Sequence, residues 1–277
     1  MFNLLSTFAA TENGGPSIHI TPSELFTVGG ISISNSMLYG VISSLVIIII
    51  LSAIARRMTI RPKRGVIQLT EIGTEFIIST IENAMGSRKK AVRYAPFFAT
   101  AFFFVLLTNW FGLLPGVGDA ITLGETIVLR PFTADLNGTL AASTVMIFMV
   151  QYFSIKEGGF KKHIRHYFAG SLKNPLTYLL GIFEIFTEFT RVFSLALRLF
   201  LNIVIGKTII AIFTYLGGFA APITALPFII LELFVGALQA YIFAMLCIMY
   251  LAAAIKHDHE ADEIYEYEMK KLETKHA

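Results

Sequence analysis

Six charged residues stand in a stretch that is otherwise almost wholly apolar: Glu184, Glu188, Arg191, Arg198, Lys207 and Glu232, all between Asn174 and Ile255. The most demanding is Arg198, inside Phe193-Ser-Leu-Ala-Leu-Arg-Leu-Phe-Leu-Asn202. An arginine is in practice always protonated, and holding one near the centre of a bilayer costs several kcal/mol. It must be paired, solvated by internal water, or used. At helical periodicity Glu184, Glu188, Arg191, Arg198 and Asn202 fall within a stripe about 80° wide, which must face protein or water because lipid cannot satisfy it. Lys207 falls on the far side of that helix, toward a second run in which Glu232 and Gln239 sit seven residues apart on one face. Glu188–Arg191 and Lys207–Glu232 read as neutralising pairs. The turns nearest Arg198 (Ser194, Leu195, Leu201, Asn202) offer no acid, so its counter-ion is expected from elsewhere, another chain included.

Arg198 cannot relay a proton, but it can act on one. At about 4 Å and an effective dielectric of about 20, its attraction for a carboxylate is about 4 kcal/mol, enough to ionise a buried acid that desolvation keeps protonated. A fixed cation between two water inlets also blocks ions from running straight through. The pattern therefore suits an obligatory detour of protons through a moving carboxylate.

The elements that must position these residues are membrane spans. The chain is 55% hydrophobic and 15% charged, with a strongly positive mean hydropathy, which excludes an ordinary soluble domain. A bilayer core about 30 Å thick takes about 20 helical residues. Three ordinary spans are expected at about 36–55, 96–114 and 138–155, followed by two longer ones at about 174–214 and 219–255. The long pair reads as two tilted helices joined near Gly217–Pro222, since no turn cluster precedes Leu216-Gly-Gly218. Val66–Met85 is different: Val66, Leu69, Ile72, Phe76, Ile77 and Ile81 recur at helical spacing with Glu71, Glu75 and Glu82 opposite, the pattern of a helix lying on the membrane surface or in a partner's groove. The fold class is thus an all-α polytopic membrane protein with about five transmembrane helices. Its organisation is an extracytoplasmic segment 1–35, a membrane domain 36–256 and a charged cytoplasmic tail 257–277.

Lys and Arg cluster after the first span (Arg56, Arg57, Arg61, Lys63, Arg64, Arg88, Lys89, Lys90, Arg93) and after the third (Lys156, Lys161, Lys162, Arg165, Lys173), while residues 1–35 hold none. The positive-inside rule then puts the N-terminus outside and the C-terminus in the cytoplasm. The lone Cys247 permits no intrachain disulfide, and all six histidines lie outside the spans, so no haem ligation is expected there. No phosphate-binding loop occurs; neither a nucleotide, a cofactor, a metal nor nucleic acid is expected to bind. His257-Asp-His259-Glu260 reads as part of a solvated charged end.

The run Ser194-Leu-Ala-Leu-Arg198-Leu-Phe-Leu-Asn202, with Leu238-Gln239-Ala-Tyr-Ile-Phe243 after it, resembles subunit a of the F-type ATP synthases. Asn109-Trp-Phe-Gly-Leu-Leu-Pro115 and Ala134-Asp-Leu-Asn-Gly-Thr139 are similar to further landmarks of that family, so the resemblance covers about residues 30–256. It implies a non-catalytic stator working against the rotating c-ring and held by peripheral-stalk b subunits; the general character of the sequence favours a bacterial plasma membrane over an organellar inner membrane. The resemblance implies that Arg198 faces the ring's ion-carrying carboxylate and that Asn202 and Gln239 line the same interface. It likewise implies that Glu232, Asp135 and Asn137 belong to the outer proton path and Glu184 to the cytoplasmic one; the sidedness of the long helices adds Lys207 on the outer side and Glu188, with Arg191, on the cytoplasmic side. The carried ion, H⁺ or Na⁺, is set by the ring. Three positions depart from the family pattern: Lys207 stands where many members carry an acid, His or small residue, Gly112 replaces an acid found in some, and Leu201 replaces a usually small residue. The alternative is a proton-coupled secondary transporter, which would be expected to show an internal repeat and broken helices; neither is visible in the sequence.

Overall fold

The computed structural model describes residues 23–28, 31–57, 65–114, 117, 122–123, 126–127, 130–159 and 175–276. Arg61, Lys63, Arg64 and the basic loop 160–174 lie outside the described residues, as do the side chains of Glu184 and of residues 257–276. Among the described residues there are six α-helices: α1 (Asn35–Arg56), α2 (Val66–Met85), α3 (Arg88–Gly112), α4 (Leu136–Gly158), α5 (Pro175–Gly217) and α6 (Ala221–His276). Among the described residues four stretches are long and apolar enough to cross a membrane: α1, α3, α4 and the continuous Ile185–Lys256, which contains the α5–α6 reversal. The chain is an all-α polytopic membrane protein.

Local chemistry sets the helix ends. Ser34 caps α1 by accepting from the Met37 amide at 3.3 Å, and Ser87 caps α3 by accepting from the Lys90 amide at 3.5 Å. Gly86, at φ 66°, stops α2 in a left-handed turn that lets α3 start at once. A 3-10 turn, Phe132–Ala134, leads into α4, and its Phe132 ring wedges between α1 and α4. There a Cβ on Gly40 would come to 2.9 Å from the ring, and one on Gly138 to 2.7 Å from the Phe132 carbonyl, so both positions need glycine.

The core is shared by α2, α3, α4, α5 and α6, with Phe98, Val150, Leu195, Leu199, Phe243 and Ile248 among its buried side chains. Ala240 and Ala244 are fully buried on α6 and let neighbouring helices approach closely. Helix α1 stands apart, with Val41, Leu45, Ile48 and Ile49 all exposed, as a lipid-facing span requires. The α5–α6 hairpin turns through the 3-10 segment Gly218–Ala220, inside the window expected from the sequence. Gly218 takes φ 49°, the Thr224 hydroxyl donates to the Phe213 carbonyl at 2.9 Å, and the Phe213 and Phe228 rings stack at 3.9 Å. At 1.5 Å per residue α5 is about 65 Å long, twice a bilayer's hydrocarbon core.

Two features lie beyond the sequence reading. Short antiparallel hairpins, Glu24–Val28 with Ile31–Ser34 and Thr122–Leu123 with Thr126–Ile127, precede α1 and α4. Helix α6 also continues through the charged tail to His276.

Candidate functional site

The charged residues singled out above meet different fates along α5. Arg191 bonds to Glu188 one turn away, and its guanidinium lies 4.9 Å from the centre of the Tyr250 ring on α6. That pair is neutralised within the chain, as expected. Arg198, two turns further on, is exposed, and among the described residues no hydrogen bond or ion pair engages its guanidinium. Leu195, Ala196 and Leu199 beside it are buried against the bundle, so this part of α5 is held firmly from behind. Leu197, Leu201 and Ile205 are exposed with Arg198, 39%, 45% and 53% respectively, so the cation stands at the edge of an uncovered apolar face. The next helix continues that character with exposed Leu231, Phe234, Leu238, Met245 and Met249, a single helical stripe.

Behind this face lies a buried polar layer. Glu232 and Gln239 of α6 are 6% and 5% exposed, on one side of the helix as their seven-residue spacing predicts. The Glu232 carboxylate lies directly over Gly206 of α5, where a Cβ would overlap it. Gly206, which the sequence reading missed, is therefore what gives this acid its place between the two long helices. Lys207, the next residue, is half-buried, and its charge acts on Glu232. Glu232 Oε1, Gln239 Nε2 and Asn202 Nδ2 are buried without a hydrogen-bond partner.

Helix α3 braces the same region. The Trp110 indole donates to the Leu233 carbonyl at 3.1 Å, and the fully buried Asn109 donates through Nδ2 to the Gly236 carbonyl at 3.4 Å. Both bonds reach main-chain groups of α6 within the turns that carry Glu232 and Gln239.

Asp135 sits at the other end of α4's approach, away from Arg198 in sequence and in a different setting. One carboxylate oxygen accepts from the Asn137 amide at 3.0 Å and caps α4, and the other accepts from the Ser36 hydroxyl of α1. Arg130 is buried beside it and donates to the Ala134 carbonyl at 2.9 Å. Burial lowers the pKa of that guanidinium, and the charge of Asp135 opposes the shift. Asn137 itself is exposed. Ser36 and Arg130 carried no periodic or spacing signal by which the sequence could reveal them. Among the described residues no group of three or more His, Cys, Asp or Glu gathers to hold a metal ion.

Comparison with known proteins adds an independent line. The profile of the family described as ATP synthase A chain matches residues 37–252, most of the chain. ATP synthase subunit a of Moorella thermoacetica is 31% identical over 245 residues, covering 87% of this chain and 99% of the relative. The subunit a of Nitrosospira multiformis is 30% identical over 248 residues, covering 88% and 89% respectively. That of Anaeromyxobacter dehalogenans is 31% identical over 225 residues, 78% of this chain but 55% of a longer relative.

Proposed function

The chain belongs to the ATP synthase A chain family, subunit a of the complex, and from that premise we propose that it guides protons to and from a rotating ring through two aqueous half-channels separated by Arg198. Protons enter from the outside past Asp135 and Asn137, reach Glu232 beside Lys207, and pass to the ring near Gln239 and Asn202. After the ring has turned they leave to the cytoplasm past Arg191, Glu188 and Glu184. The ring's carboxylate meets Arg198 between the two paths; the fixed cation makes that acid give up its proton and denies protons a direct route across. Each charge moved across about 100 mV releases about 2.3 kcal/mol, so several must pass per ATP made.

The observation that carries this reading is the exposed guanidinium on an apolar helix face, with no acid of its own chain engaging it among the described residues. A cation left so in a membrane span needs an anion from a partner, and the c-ring supplies one of the required chemistry. The two long helices support it further: α5 exceeds the bilayer thickness roughly twofold, so it must tilt or lie obliquely, which gives the ring a long face to roll against. The peripheral-stalk b subunits then hold this chain still. The positive-inside arrangement, N-terminus out and C-terminus in, orients the whole.

The test is Arg198→Ala. ATP-driven acidification of inverted membrane vesicles should vanish while the variant subunit still co-purifies with the complex. Coupled pumping at the wild-type rate would overturn the reading.

A further inference from the structure

We propose that Asn109 of α3 is a proton-path residue of this subunit, placed between Glu232 and Gln239, with its side-chain carbonyl accepting the hydrogen bond of the passing proton carrier. The inference rests on the inlet reading above, in which Glu232 and Gln239 lie on that path.

Three observations converge on it. First, Asn109 is 0% exposed, in a helix of a membrane domain where an apolar side chain would avoid the cost of burying a polar amide. Second, its position on α6 is defined. Nδ2 donates to the Gly236 carbonyl at 3.4 Å, and a Cβ on Gly236 would lie 3.3 Å from the Asn109 Cβ. Gly236 is four residues after Glu232 and three before Gln239, so all three share one side of α6 on adjacent turns. Gly236 has no side chain, and that lets Asn109 in between the other two. Third, Oδ1 of Asn109, Oε1 of Glu232 and Nε2 of Gln239 are each buried without a partner. Buried polar atoms are almost always satisfied, and three exceptions where α3 meets one face of α6 call for a common cause.

The chemistry is hydrogen bonding alone. An amide oxygen accepts from a protonated water or carboxylic acid and gives it up unchanged, and no bond within Asn109 forms or breaks. The donor side of the amide is occupied by the Gly236 main chain, which fixes the orientation of the group. Asn109 thus bridges the separation of about 10 Å along the helix axis that seven residues impose between Glu232 and Gln239.

The experiment compares four variants in membrane vesicles, each rate normalised to the amount of subunit in the assembled complex. Asn109→Leu removes the acceptor, replacing it with a bulkier apolar side chain of the same branching, and should lower proton-driven ATP synthesis at least about tenfold. Asn109→Asp puts a titrating group into the path and should shift the pH of half-maximal synthesis relative to wild type. Arg198→Ala and Glu232→Gln test the inlet reading itself. If those two leave coupling intact, the inlet reading falls and takes this inference with it. If they impair coupling as expected but Asn109→Asp keeps the wild-type pH profile, Asn109 is only a clamp between α3 and α6 and the proposal is overturned, whatever the rate of Asn109→Leu. A shifted profile upholds it even where Asn109→Leu fails to assemble.

Discussion

Asp135 and Glu232 are both buried acids, each 6% exposed, and the fold treats them in opposite ways. Both oxygens of Asp135 are committed: one caps α4, the other holds the Ser36 hydroxyl of α1, and a buried guanidinium stands alongside. Glu232 lies against the bare backbone at Gly206 with one oxygen unpartnered. Leaving a buried polar atom unmet costs about 1–3 kcal/mol, so the second arrangement does not arise from optimising stability. The same contrast separates Arg191, bonded to Glu188, from Arg198, exposed two turns away. This chain commits the polar atoms of Asp135 and Arg191 to bonds within itself and leaves the Arg198 guanidinium and one oxygen of Glu232 without a hydrogen bond among the described residues.

The sharpest way to break that contrast is Glu232→Gln. The substitution keeps shape and hydrogen-bonding capacity but removes the group that can take and release a proton. Proton-driven ATP synthesis in vesicles should fall about a hundredfold, the low end of what a positioned proton-transfer group contributes, with the complex still assembled. Synthesis at the wild-type rate would show that Glu232, like the fully bonded Asp135 at the inlet mouth, does not itself carry the proton.

Gly206→Ala sharpens the same contrast from the opposite helix. The added methyl falls on the Glu232 carboxylate, the flexible end of a side chain, so the helices stay packed and the acid moves. Synthesis should drop about tenfold or more, since displacements near 1 Å are costly in proton transfer. Thermal unfolding of the detergent-solubilised complex should hardly change. A variant that unfolds early yet retains full turnover per complex would show that Gly206 serves packing alone.

Much of this architecture is written in local patterns. The amphipathic run Val66–Met85 forms a helix over those very residues, and the proline-free stretch after Pro175 forms one continuous helix to Gly217. The Glu188–Arg191 pair follows from three-residue spacing alone. What stayed hidden depends on contacts across the bundle. Ser36 meets Asp135 across 99 positions and Asn109 meets Gly236 across 127, and no periodicity within one helix encodes either. Gly206 is similarly silent, because a glycine's role is defined by what approaches it. The hairpin before α1 had a readable sign, Gly29-Gly30 between Phe26-Thr-Val28 and Ile31-Ser-Ile33, outweighed by the length of the apolar span that follows.

The smallest effect on rate should come from Asp135, and its two substitutions divide architecture from transport. Asp135→Asn keeps an oxygen for the cap on α4 and a polar group for Ser36, but removes the negative charge beside Arg130. If that charge only draws cations toward the inlet, synthesis per assembled complex should fall about threefold, with the loss shrinking as salt screens the field. Both substitutions take the negative charge from beside a buried guanidinium, for which several kcal/mol is typical, and Asp135→Ala also removes the cap, worth about 1 kcal/mol more. The amount of subunit a in membranes should therefore drop in both variants and further in Asp135→Ala, while each complex that does assemble works within about threefold of wild type. An Asp135→Asn variant as slow per assembled complex as Glu232→Gln would mean that full hydrogen bonding does not stop an acid from carrying protons itself. The distinction between the two carboxylates would then lie in their position along that path rather than in their bonding.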